Sequence, residues 1–115
     1  MDIIAVKLKE VRQLLFDPEH WTKGAHAKDK YGNQVRITDQ NARCWCLQGA
    51  CYRVCLDIST DEDEDMKVFE QLLTFLETLT DGRTIPGWND DKERRYTDVI
   101  DLLDRAIALR SNNDS

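Results

Sequence analysis

The sequence predicts an all-α fold: a compact bundle of about four helices, with an irregular arm, holding at most a short strand, between the first and second. Three observations carry that expectation. Apolar residues recur at helical spacing in four separate stretches. Those stretches are bounded by Asp-Pro, Asp-Gly and acidic runs that stop or start helices. Finally, 115 residues suffice for one modest core. Residues 1–115 therefore read as a single domain, with 111–115 as a frayed tail.

The first helix is expected from about Ile3 to Phe16, where Ile4, Leu8, Val11 and Leu15 share a face. Asp17-Pro18 ends it, because the residue before proline is pushed out of the helical region. From His20 to Asn41 the chain is polar, with Gly24, Gly32 and the Tyr31-Gly32-Asn33 run as turn signals. Val35 and Ile37 alternate with Arg36 and Thr38, the pattern of a short strand or extended arm. The second helix is expected over about Ala42 to Ile58, with Asp39 or Asn41 as N-cap. Apolar on two sides, it reads as the central element, with Gly49-Ala50 letting a neighbouring backbone approach. The third spans about Asp63 to Leu79, with Met66, Phe69, Leu73 and Leu76 inward and Leu72 and Leu79 flanking them. After a linker from Arg83 to Tyr96, the fourth covers about Thr97 to Arg110. Its inward residues are Val99, Leu103, Ala106 and Ile107, and Asp101 and Arg105 form an exposed pair.

The net charge of −6 is unevenly spread. Residues 1–56 hold nine Lys/Arg against six Asp/Glu, a balance of +3, and residues 57–115 hold seven against sixteen, a balance of −9. Phosphate neutralisation supplies most nucleic-acid affinity, so no direct nucleic-acid contact is expected. The acidity suits solubility, or a basic protein partner. No apolar run approaches the length of a membrane span, and the N-terminal Ile3, Ile4, Val6 and Leu8 are interleaved with Lys7 and Lys9. No membrane association and a cytoplasmic address are the expectation. In that compartment Cys44, Cys46, Cys51 and Cys55, all placed on the second helix, are expected to be reduced.

No catalytic residue, metal site or cofactor is predicted. The C-x-C, C-x4-C and C-x3-C spacings differ from the paired knuckles of zinc sites, although Cys51 and Cys55 with His20 or His26 form the one metal set to weigh. A nucleophilic cysteine needs a base, and only two histidines exist, both in the arm. The acidic run Asp61, Glu62, Asp63, Glu64, Asp65 lacks the glycine hinge and terminal glutamate of a calcium loop. It reads as a helix start or as an acidic interaction surface. There remain three tryptophan-bearing segments, around Trp21, Trp45 and Trp88. In one reading Trp21 and Trp88 pin irregular segments onto the bundle, with Asn89 or Asp90 fixing a turn. In the other, Trp21, Trp45 and Trp88 converge with Asp29, Asn89 and Asp90 to edge a pocket.

These segments also carry a resemblance. Trp21, Gly24, Ala25, Ala27, Asp29 and Gly32 give W-x-x-G-A-x-A-x-D-x-x-G. Trp45 to Ala50 gives W-C-L-x-G-A, and Ile85 to Asp90 gives I-P-x-W-N-D. Followed by Thr97, Val99, Leu102, Ala106 and Ile107, the set resembles a family of small uncharacterised bacterial and bacteriophage proteins, a domain of unknown function. The acidic stretch around Asp61 to Asp65 departs from it. The resemblance implies no activity, and its phage setting points to an accessory protein acting on a host factor in the host cytoplasm. The expected function is a small non-catalytic interaction protein that meets a basic host protein, such as a defence factor, through its acidic surface. The alternative is a small-molecule or nucleotide pocket, extending to a metal-assisted enzyme, built from the arm and the Trp88-Asn89-Asp90 loop.

Overall fold

A computed structural model of the chain describes residues 2–56 and 61–113. Among them are five α-helices: α1 (Ile3–Leu14), α2 (Leu47–Cys55), α3 (Glu62–Glu77), α4 (Ile85–Asn89) and α5 (Tyr96–Asn113). Two short strands, β1 (Ala27–Lys28) and β2 (Cys44–Trp45), pair antiparallel, Ala27 opposite Trp45 and Lys28 opposite Cys44. The architecture is thus mostly helical, with a small two-stranded sheet where an irregular arm with at most one short strand was expected.

Helices α1 and α5 are tied at both ends. Asp2 caps α1 by accepting the N–H of Ile4 at 3.1 Å, and its carboxylate also receives Arg110 at 2.6 and 2.8 Å. The guanidinium holds the Asp2 carboxyl below the usual carboxylate range. At the other end, the Tyr96 hydroxyl lies 2.6 Å from the Leu15 carbonyl and 2.7 Å from that of Phe16. It covers carbonyls that the end of α1 leaves without helical partners. Start meets end in both cases, so the two helices run antiparallel.

Between them lies the core. Ile4, Leu8, Val11 and Leu15 are buried as their spacing predicts, against Val99, Leu103 and Ala106 of α5. Leu47, Cys51 and Cys55 of α2 and Leu72 and Leu76 of α3 complete the cluster. Each large aliphatic side chain stabilises the fold by roughly 1.5–3 kcal/mol. The central role expected of α2 is shared with α1, which packs against α5, α2 and α3. Lys7 is also buried, at 6% exposure, and its ammonium is satisfied by Glu10 at 2.7 Å and the Val54 carbonyl at 3.1 Å.

Several expectations are corrected. α2 starts at Leu47 rather than Ala42, because the preceding backbone is engaged elsewhere: Arg43 donates to Lys28 at 2.8 Å and Cys46 to His26 at 3.3 Å. Cys44 and Trp45 are therefore strand residues, and Cys46 is the N-cap. Asp39, a candidate cap, instead closes its own turn by accepting from Asn41 at 2.7 Å. The strand lies at Ala27–Lys28, not at Val35 to Ile37, although Val35 donates to the Ala27 carbonyl at 3.1 Å. The linker contains α4, started by Thr84 as N-cap with a proline in its first turn. On α3 the buried face is Asp65, Val68, Phe69, Leu72 and Leu76, so Met66 faces outward at 38% exposure. Asp101 and Arg105 make no ion pair among the described residues; Asp104 pairs with Arg12 of α1 instead. α5 extends through Asn113, beyond the expected end at about Arg110. The expected end of the second helix at Ile58, Ser59 before the acidic run, and residues 114–115 lie outside the described residues.

Candidate functional site

The Trp88-Asn89-Asp90 segment forms the end of α4 and meets the arm. Asn89 is fully buried, and its amide has four partners. Its Oδ1 accepts the Trp21 indole N–H at 2.7 Å and the Leu47 backbone N–H at 3.0 Å. Its Nδ2 donates to the Thr22 carbonyl at 3.1 Å and to Asp90 Oδ1 at 2.9 Å. The partners fix which end is oxygen, since an indole and a backbone N–H can only donate. Asn89 thus reaches three places: the arm, its own loop, and the first N–H of α2.

That last contact explains how α2 begins. Its first-turn N–H groups need acceptors, and no Ser, Thr, Asp or Asn stands among the five residues before Leu47 to supply one. Cys46 Sγ takes the Gly49 N–H at 3.3 Å, and the remote Asn89 takes that of Leu47.

Around Asn89 the same two segments are joined twice more. Asp90 Oδ1 accepts the Gly24 N–H at 3.1 Å, at a glycine with φ +81° that favours a residue without a side chain. Lys23 Nζ donates to the Asp91 carbonyl at 2.7 Å. Trp88 is buried in the core, and the Arg94 guanidinium lies 3.9 Å from its ring centre while donating to its carbonyl at 2.9 Å.

Of the six residues singled out in the sequence, Trp21, Asn89 and Asp90 come together directly, with Trp88 adjacent. The Trp21 backbone bridges to Trp45, but the Trp45 indole donates to the Ile37 carbonyl at 3.2 Å, away from Asn89. Asp29 sits in its own turn, accepting from Tyr31 and Asn33 at 2.9 Å each. Those N–H groups lower its carboxyl below the usual range. Lys23, Arg94 and Tyr96 complete the assembly and were not singled out from sequence, because their partners are main-chain carbonyls, which carry no side-chain signal.

Three of the four thiols are chemically quiet. Cys46 stands at a helix N-terminus, which favours a thiolate, yet burial outweighs that and pushes its pKa up. Burial raises Cys51 well above the ordinary thiol value and Cys55 to about 11. Among the described residues, no group of three His, Cys, Asp or Glu side chains is placed to hold a metal ion. Cys44 alone of the four is only partly buried. Ellman's reagent is therefore expected to titrate one thiol in the native protein, Cys44, and all four after unfolding in guanidinium. A second native thiol reacting at the Cys44 rate would contradict the packing of α2.

The match to protein families now bears on these residues. A model described as a family of unknown function, DUF6197, matches residues 2–109. The chain belongs to that family. The matched span of DUF6197 includes the arm, α2 and the Trp88-Asn89-Asp90 segment together. No curated protein and no solved structure matches the chain. No helix among the described residues is long and apolar enough to cross a membrane.

Proposed function

We propose that this DUF6197 chain is a small non-catalytic binding protein that meets a basic protein partner through the acidic start of α3. The observation that supports this most is the exposure of Glu62, Asp63 and Glu64, consecutive carboxylates that make no ion pair among the described residues. Asp61 accepts the Asp63 N–H as N-cap and Asp65 is buried, so the contact surface narrows to those three. Their charge complements the helix dipole, and it also projects a negative potential that speeds encounter with a cationic surface. The finer reading is a bacteriophage accessory protein occupying a basic host protein, a defence factor, in the host cytoplasm. It rests on the family resemblance.

The test is a titration of a labelled Lys/Arg-rich peptide against the wild type and a Glu62→Gln, Asp63→Asn, Glu64→Gln variant, at low and high salt. Binding weakened about tenfold or more by the variant and by salt is expected. Equal binding to both proteins would remove the acidic surface as the contact.

A further inference from the structure

A cavity of about 220 Å³ lies between the arm, α2 and α3, lined by His26, Ile37, Gln48, Tyr52 and Phe69. Gln48 and Tyr52, four residues apart, share one face of α2. The Tyr52 and Phe69 rings meet edge to face, with 5.1 Å between centres and 76° between planes. On the arm side, the His26 carbonyl accepts the Cys46 N–H at 3.3 Å and the Ile37 carbonyl accepts the Trp45 indole N–H at 3.2 Å. The walls are therefore set before anything binds, which lowers the cost of binding. None of the five touches Asn89 through its hydrogen bonds, so the cavity is a separate place on the molecule.

Three of the five carry polar groups that the fold leaves unused. The His26 imidazole, the Gln48 amide and the Tyr52 hydroxyl make no hydrogen bond or ion pair among the described residues. Together they offer donors and acceptors at three points of one small space. The rest of the lining is apolar, Ile37 and two aromatic rings. A hydrocarbon side chain filling the cavity would cover the polar groups without pairing them, at a cost. A flat ring with donors and acceptors round its edge meets both demands, stacking on Tyr52 while its edge is hydrogen-bonded.

The cavity opens into a groove of about 790 Å³, with which it shares His26, Ile37 and Tyr52. The groove adds Gln34, Arg36, Thr38 and Asp39. The side chains of Gln34, Arg36 and Thr38 also make no hydrogen bond or ion pair among the described residues. Asp39 keeps one carboxylate oxygen beyond the one that accepts the Asn41 N–H. Arg36 and Asp39 bring one charge of each sign and do not pair with each other. Such a lining suits an uncharged tail rich in hydroxyls.

We infer that cavity and groove together bind a purine nucleoside. The base enters the cavity against Tyr52 and Ile37 with its edge on Gln48 and His26, and the ribose hydroxyls lie along Thr38 and Asp39. One fused ring suits the inner volume, which is below the roughly 300 Å³ at which drug-sized sites begin. A nucleotide fits less well, because its phosphate would meet Asp39 on a chain whose net charge of −6 repels anions. The inference does not depend on a protein partner for the acidic start of α3.

NMR titration of the isotope-labelled protein with adenosine, guanosine, uridine, adenosine monophosphate and N-acetyltyrosinamide tests it, repeated on Gln48→Leu and on Tyr52→Phe. Each substitution keeps the bulk and removes one polar group, and circular dichroism and thermal unfolding verify the fold. Adenosine or guanosine is expected to bind at about 0.1 mM, the order set by a ligand of that size. Binding should shift the Gln48 side-chain amide and the ring signals of Tyr52 and Phe69, and each substitution should weaken it about threefold to tenfold. The inference is overturned if neither purine nucleoside moves those signals, or if both variants bind as the wild type does. It is equally overturned if uridine, adenosine monophosphate or N-acetyltyrosinamide binds more tightly than both purine nucleosides.

Discussion

Replacing Asn89 by alanine is expected to destabilise the fold by about 3–5 kcal/mol, lowering Tm by roughly 10–20 °C. The change leaves the Trp21 indole N–H and the Leu47 N–H without their acceptor, and the Thr22 carbonyl without a donor. The Leu47 N–H is buried and the other two groups are partly so; an orphaned buried group costs on the order of 1–3 kcal/mol, and a domain of this size has only about 5–15 kcal/mol in total. Thermal and urea unfolding of the variant measure it. Asn89→Asp separates hydrogen bonding from size. It keeps both acceptor contacts but turns a second oxygen toward the Thr22 carbonyl and Asp90 Oδ1. Burial and the nearby oxygens raise the folded pKa of the introduced carboxyl above its unfolded value. Its penalty is then full at neutral pH and relieved as pH falls through the folded pKa, so the gap to the wild type narrows in acid. A variant within about 0.5 kcal/mol of the wild type, the range of ordinary surface changes, would show that the amide is not a structural hub.

Gly49→Ala carries the second large effect, and its sign is decisive. Helix propensity alone predicts a gain of about 1 kcal/mol inside α2. The packing predicts the reverse. A Cβ at Gly49 would stand 2.1 Å from the His26 carbonyl oxygen and 2.9 Å from its carbon. These are backbone atoms, so no side chain can swing aside. The arm would have to lift from α2, weakening the Cys46 to His26 hydrogen bond and the β1–β2 pairing beside it. A loss of about 3 kcal/mol or more is expected, as for strained or overpacked sites. Equilibrium unfolding of the variant checks it, and a gain in stability would mean that the arm does not pack there.

The helices were legible because their periodicity is local. Ile4, Leu8, Val11 and Leu15 define the inner face of α1 by spacing alone, and Gly49-Ala50 marked a close backbone approach that the His26 contact bears out. What could not be read depends on partners far away in sequence. α2 has no local polar cap, since its Leu47 N–H is met by Asn89, 42 residues later. Without that signal the periodicity reads as a helix that begins early, through Cys44 and Trp45. On α3 the expected inner face held Phe69 and Leu76 correctly but took in Met66 and Leu73 in place of Val68 and Leu72, because these four are similarly apolar. Only neighbouring helices decide between them. Within the candidate site, the anchoring of Trp21 was available as one of two readings. Lys23 and Arg94 gave no signal, because they bind main-chain carbonyls, which every residue has.

Hydrogen exchange of the indole N–H groups tests the Asn89 hub most directly. The Trp21 Nε1–H is bonded at 2.7 Å to a fully buried side-chain oxygen. Its exchange is expected to be slowed to the level of core backbone amides and to become fast in Asn89→Ala. If Trp21 in the native protein exchanges as fast as free tryptophan, the arm is not held by Asn89, and that amide is open to a ligand.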